Sequence, residues 1–245
     1  MPAAPAPADD PPESRAAVIR DGVGVGIATG LYGTSFGAVA VASGLTVAQT
    51  CGLSLLMFTG ASQFALVGVL GAGGTPLAAS LTALLLGSRN TLYGLRVAPL
   101  LEWGGVRRAA AAQLLIDEST AMAVNRPTRD LARAGFLSTG MAVFLLWNAF
   151  TLVGAVAGTA LGDPRTYGLD AAVGAAFLAL LWPRLSDRRN QLVALGAVAV
   201  ALGLVPVTAA GVPVLAAAGV ALLVGALSTR PDPTEIPTPT RRRPR

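Results

Sequence analysis

Residues 48–70 read AQTCGLSLLMFTGASQFALVGVL, an apolar run with Phe58-Thr59-Gly60-Ala61-Ser62-Gln63-Phe64 at its centre. About 20 apolar residues suffice to cross a bilayer, so this run is long enough. Its centre is nonetheless polar. A buried glutamine amide without partners costs a few kcal/mol in hydrocarbon. Polar groups at that depth therefore face protein or water rather than lipid. Gly60, lacking a side chain, lets the backbone bend or be approached closely. The next apolar run, from Pro76 to about Leu101, carries Ser88-Arg89-Asn90, Tyr93 and Arg96. The two runs read as walls of one polar cavity that the rest of the chain supports.

The whole chain fits a membrane setting. It has 245 residues, 53% hydrophobic and 13% charged, with a mean hydropathy of +0.62. Soluble domains carry about 25% charged residues. All 18 basic residues are arginine, and apart from Arg89 and Arg96 they fall in loops and the tail, so topology explains the formal charge of +5 better than nucleic-acid binding does. The single cysteine, Cys51, excludes an intrachain disulfide and a multi-cysteine metal site; it reads as a small apolar helix residue.

These features predict an all-α, polytopic integral membrane protein of six or seven transmembrane helices, with broken or re-entrant segments as an open alternative. Residues 1–15 are rich in Pro, Ala and acid and lack the apolar core of a signal peptide, so they read as disordered. Residues 16–228 form the transmembrane domain, and 229–245 a disordered basic tail. In the first run, Gly22, Gly26 and Gly30, then Gly33 and Gly37, recur at a spacing of four and form a close-packing ridge. Tyr32 to Gly37 reads equally as a helix break or as plain close packing. Gly71 to Pro76 is a tight turn, with Pro76 opening the next helix. Residues 102–133 hold five arginines and four acids around a short apolar centre. They read as an extramembrane loop with an amphipathic or partly inserted helix. Further apolar runs cover 134–161, 169–185, 191–207 and 213–227.

The basic segments 102–133, 184–189 and the C-terminal tail are mutually consistent if all face the cytoplasm. Seven simple spans would then leave the N-terminus outside, against Arg15 and Arg20. A re-entrant hairpin over 22–43 would return it to the inside, and composition leaves both open.

Four patches make the chain similar to the large subunit of the AzlC-type branched-chain amino-acid exporters. They are Gly33-Thr34-Ser35-Phe36-Gly37 with the small residues that follow, Phe58 to Phe64, Arg89-Asn90-Thr91-Leu92-Tyr93, and Asp117-Glu118. A weaker fifth is Gly168-Leu169-Asp170 leading into Phe177-Leu178. Two departures are the missing proline near Tyr32-Gly33 and Ser88 in place of an asparagine. The resemblance implies a multi-pass protein of the cytoplasmic membrane that exports valine, leucine or isoleucine, and the export is expected to be driven by an ion gradient. It also implies a small AzlD-type membrane subunit as partner. The glycine-rich faces agree with a hetero-complex. The alternatives are a transporter of another small polar metabolite, or an uncoupled channel-like subunit.

The expected substrate site groups Gln63, Arg89, Ser62, Asn90, Tyr93 and Gly60. Gln63 offers both donors and an acceptor, and Arg89 a planar fork for a carboxylate. Arg89 reads equally as an internal ion pair. Arg96, near the end of its run, snorkels. Asp117 and Glu118 are candidates for coupling or gating, against a solvated loop helix. Trp147-Asn148 reads as packing plus an interhelical hydrogen bond. No metal site and no cofactor are expected. Gly60-Ala61-Ser62 is superficially similar to the serine motif of rhomboid-type proteases, but serine chemistry needs a base and the chain has neither histidine nor lysine, so enzymatic activity is not expected.

Overall fold

The computed structural model describes residues 13–124, 126–161, 178 and 181–227, and these contain helices and no strands. The fold is organised on α1 (Arg15–Ala42) and α8 (Arg129–Leu161). Both are apolar enough to cross a bilayer and, at 28 and 33 residues, long enough. Ser14 caps α1 by accepting a hydrogen bond from the Ala17 N–H, and Gly44, at φ +94°, turns the chain beyond its C-terminus.

The glycine ridge decides how the pair packs. A Cβ on Gly26 would lie 2.3 Å from Ala142 Cβ, and one on Gly37 2.1 Å from the Thr151 carbonyl oxygen. From the other side, a Cβ on Gly154 would lie 2.0 Å from the Thr34 carbonyl oxygen. Contact partners rise in number together, so the two helices run parallel. The neighbouring face of α1 shows Ile19, Val23, Ile27 and Leu31, all exposed, also four apart. A stripe of that kind is a liability in water and at home in lipid. The helix is continuous through Tyr32 to Gly37, so of the two sequence readings close packing holds and the break does not. The 22–43 re-entrant hairpin is likewise replaced by one continuous helix.

The missing reversal lies in the next segment instead. A capping box between Thr46 and Gln49 starts α2 (Val47–Leu56) beside the end of α1. It runs antiparallel to α8: Ser54 Oγ donates to Thr151 Oγ1 at 3.4 Å, and the Phe58 ring sits edge-on to Phe144 at 5.1 Å. At Met57–Gly60 the helix stops. Gly60 has φ +60° and ψ −87°, a conformation that a side chain would strain. From there α3 (Ala61–Gly71) returns alongside α1, from Phe64 against Phe36 to Gly71 against Ser43. The long apolar run 48–70 is thus a hairpin whose tip, Phe58–Gly60, lies at mid-height of α8.

Thr75 caps α4 (Pro76–Gly87), which continues through a joint at Ser88 into α5 (Arg89–Leu101). The two cross the full height. At the far end the Arg133 guanidinium donates to the Leu101 carbonyl, and Arg129 pairs with Glu102. Then α6 (Gly105–Gln113) turns back toward the middle, and α7 (Asp117–Ala123) runs out again along α8. Leu114 touches Gly140 and the Met122 carbonyl touches Gly135. Ile116, 5% exposed, packs in the central core with Phe36, Phe64 and Trp147. The segment 102–133, read as an extramembrane loop with an amphipathic or partly inserted helix, contains α6 and α7, and Leu114, Ile116, Ser119 and Ala123 within it are buried. A crossing plus a hairpin is therefore followed by a crossing plus a hairpin of opposite sense, the inverted order seen in many transporter folds.

Among the described residues, α9 (Arg188–Leu204) and α10 (Val212–Leu227) form a helical pair whose turn, near Ala210 and Gly211, abuts Gly74 and Ala78. The 169–185 run and the Gly168–Asp170 patch lie mainly outside the described residues, as do most of 1–15 and all of 229–245.

Candidate functional site

Three irregular points meet at mid-height: the Phe58–Gly60 tip, the Ser88 joint and the Leu115–Ile116 tip. Polar side chains tie them together. The Arg89 guanidinium pairs with Asp117 Oδ2 at 2.8 Å and reaches the Thr59 carbonyl at 3.5 Å. Asn90 Nδ2 donates to the Leu115 carbonyl at 3.2 Å, and Gln113 Nε2 to the Leu55 carbonyl at 2.7 Å. Ser119 Oγ accepts from the Ile116 N–H and donates to the Leu114 carbonyl, which holds the second tip. Helix ends carry free carbonyls and N–H groups, and these amides and the guanidinium satisfy part of them.

Between the tips lies a cavity of about 230 Å³. One side is polar: Thr59, Gly60, Arg89, Asp117 and Glu118. The other is apolar: Phe58, Phe64, Ile116, Val143 and Trp147, with Thr29 and Tyr32 completing the lining. Arg89 and Asp117 each keep about a quarter of their side-chain surface exposed (25% and 26%), so the pair is reachable from the cavity. The N-terminus of α3 opens on the same wall with no side-chain cap, leaving backbone donors and the positive end of a helix dipole there. Trp147, 4% exposed, has its indole Nε1 without a partner among the described residues, and Arg89 Nε and Thr59 Oγ1 are in the same position. Buried donors left in that state are unusual and mark a site that something polar can enter.

The structure brings together four of the expected residues, Arg89, Gly60, Asp117 and Glu118, and separates the others. Gln63 is fully buried and does not face the cavity; its Nε2 donates to the Leu53 carbonyl at 3.3 Å and fastens α3 to α2. Ser62 is also buried behind the wall, close to Gly87. Asn90 braces the second tip, and Tyr93 stands half-buried one turn along α5, outside the cavity lining. Gln63 and Ser62 follow Gly60 directly, but the helical rotation of the first turn of α3 carries them to its far face. Arg96 is exposed and lies outside the cavity lining. Asn148 bonds within its own helix, to the Phe144 carbonyl at 2.7 Å, rather than across helices. Sequence reasoning missed Thr29, Tyr32 and Trp147 as cavity residues, because only the parallel packing of α1 on α8 places them there.

Gln63→Leu tests this placement. It removes the bond to Leu53 and should cost about 1 kcal/mol of stability, the net worth of one such hydrogen bond. Thermal unfolding in detergent should therefore move down by a few degrees, with substrate affinity within about twofold of wild type. A large loss of affinity at unchanged stability would return Gln63 to the cavity wall.

Searches among curated proteins and among solved structures give no match. A family model described as AzlC protein matches residues 24–161, more than half of the chain. That span runs from the glycine ridge to the end of α8 and holds both hairpins, the joint at Ser88 and every residue lining the cavity. The chain belongs to the AzlC family, and with its exposed apolar helix faces it is a membrane protein of a transport-related family.

Proposed function

We propose that this protein exports branched-chain amino acids across the cytoplasmic membrane as the large subunit of a two-component secondary transporter. The observation that carries the proposal is the Arg89–Asp117 ion pair at the polar wall of an otherwise apolar cavity. A zwitterionic amino acid presents one carboxylate, one ammonium and a side chain. Arg89 and the α3 N-terminus suit the carboxylate, Asp117 and Glu118 the ammonium, and Phe58, Ile116, Val143 and Trp147 a branched aliphatic side chain.

Such a ligand exchanges partners with the resting pair. Breaking one side of a buried ion pair costs about 3–5 kcal/mol because an uncompensated charge remains. A zwitterion supplies both charges at once, so neither Arg89 nor Asp117 is left alone. An aliphatic amine or a fatty acid supplies only one and is disfavoured. Charge placement supports the orientation: Arg15, Arg107, Arg108, Arg126, Arg129 and Arg133 gather toward one end, whereas the turns at 43–46, 72–75 and 205–211 carry no charge. The basic end faces the cytoplasm. A small AzlD-type subunit belongs to the same proposal, and co-purification with the chain is its check.

The deciding experiment is gene deletion followed by feeding a valine-containing dipeptide. Intracellular valine should rise several-fold above the parent and growth should slow. Equal valine and equal growth would overturn the assignment.

A further inference from the structure

A second cavity, of about 1030 Å³, lies between the α3–α4 pair and α9–α10. It extends from Ala72 and Gly211, at the uncharged end, to Ser88 and Arg89 at mid-height. Arg89 and Phe64 line both this cavity and the smaller one. At that point the two cavities are separated by these two side chains alone. Phe64 is held edge-on between Phe36, at 5.5 Å, and Trp147, at 6.1 Å; Arg89 is held by Asp117. Each restraint is a side-chain contact, which rotamer changes can release without unfolding a helix.

We propose that the two cavities are successive halves of one translocation route and that Phe64 and Arg89 form the gate between them. The inference rests on the transport reading above and adds a direction and a mechanism. A substrate carboxylate that takes Arg89 from Asp117 removes one restraint, and rotation of the Phe64 ring removes the other. Beyond the gate the larger cavity offers an apolar lining for the side chain. Thr82, Ser88 and Thr208 provide hydroxyls for the polar head. Occupancy of the first site and opening toward the second are thereby linked.

The test uses cells expressing the full chain with Cys51→Ala as background, carrying either Gly68→Cys or Ala218→Cys in opposite walls of the larger cavity. A Cβ at Gly68 meets nothing within 4 Å, so that variant is not crowded. A membrane-impermeant sulfonated thiol reagent added outside should modify both and cut valine export at least tenfold. If both cysteines react only with a lipid-soluble maleimide, or if modification leaves export intact, the larger cavity is lipid-filled space and the proposal fails. Phe64→Ala should in addition open a downhill valine leak at least tenfold above wild type. Phe136→Ala, equally buried but in a separate cluster beside Trp103 and lining neither cavity, should not leak; equal leaks from both would also overturn the gate. Valine binding to purified wild-type protein, read by thermal shift, separates the two readings. Absent binding with the cysteines still labelled would refute the transport site rather than the water-filled cavity.

Discussion

Neutralising either member of the Arg89–Asp117 pair is expected to abolish export, and neutralising both is expected to restore stability without restoring transport. Arg89→Gln leaves Asp117 without its cation, and Asp117→Asn leaves Arg89 without its anion. Each single change should cost about 3 kcal/mol, the low end for breaking a buried pair, since both side chains remain partly exposed. Membrane yield and thermal stability should fall accordingly. The double variant Arg89→Gln/Asp117→Asn removes the orphaned charge, so stability should recover most of that loss. Export should stay at least 100-fold down, because neither end of the zwitterion then meets a charge. Arg89→Lys separates the roles further: an ammonium keeps the charge but lacks the planar fork, so the fold should persist while affinity drops. A stable double variant that exports normally would reduce the pair to a structural fastener.

The second large effect lies on the α1–α8 seam. Gly154→Leu would press its Cβ to within 2.0 Å of the Thr34 carbonyl oxygen, and Gly37→Leu to within 2.1 Å of the Thr151 carbonyl oxygen. In both cases the obstacle is backbone, which cannot swing aside. Overpacking a core ordinarily costs about 1–3 kcal/mol. Here two long helices must separate, so the cost should exceed that range and little folded protein should reach the membrane. Gly24→Leu is the matched control, since a Cβ there meets nothing within 4 Å on the exposed face of the same helix. Its yield and its elution profile in detergent should match wild type. Equal yields for Gly154→Leu and Gly24→Leu would mean that the helices are not in close contact.

Much of this was legible in the chain itself. Low charge and long apolar runs determined a helical membrane protein, because backbone groups in hydrocarbon must be satisfied within the segment. The four-residue glycine spacing determined a packing ridge, and the polar Phe58–Phe64 centre and Arg89 determined where polar chemistry sits. Local patterns could not say which way each segment runs. Residues 48–70 have the length of a crossing and fold as a hairpin, because Gly60 takes a backbone conformation that composition alone does not reveal. Residues 102–133 have the charge of a loop, yet Leu114, Ile116 and Ser119 are buried. Adjacent residues were also parted by helical rotation: Gly60 lines the cavity while Ser62 and Gln63 face away. Asp117 became the partner of Arg89 only when the second hairpin carried it to mid-height, a contact across 28 positions of sequence that no local spacing encodes. Periodicity and composition are set by neighbours along the chain; which charges share a cavity is set by how the helices cross.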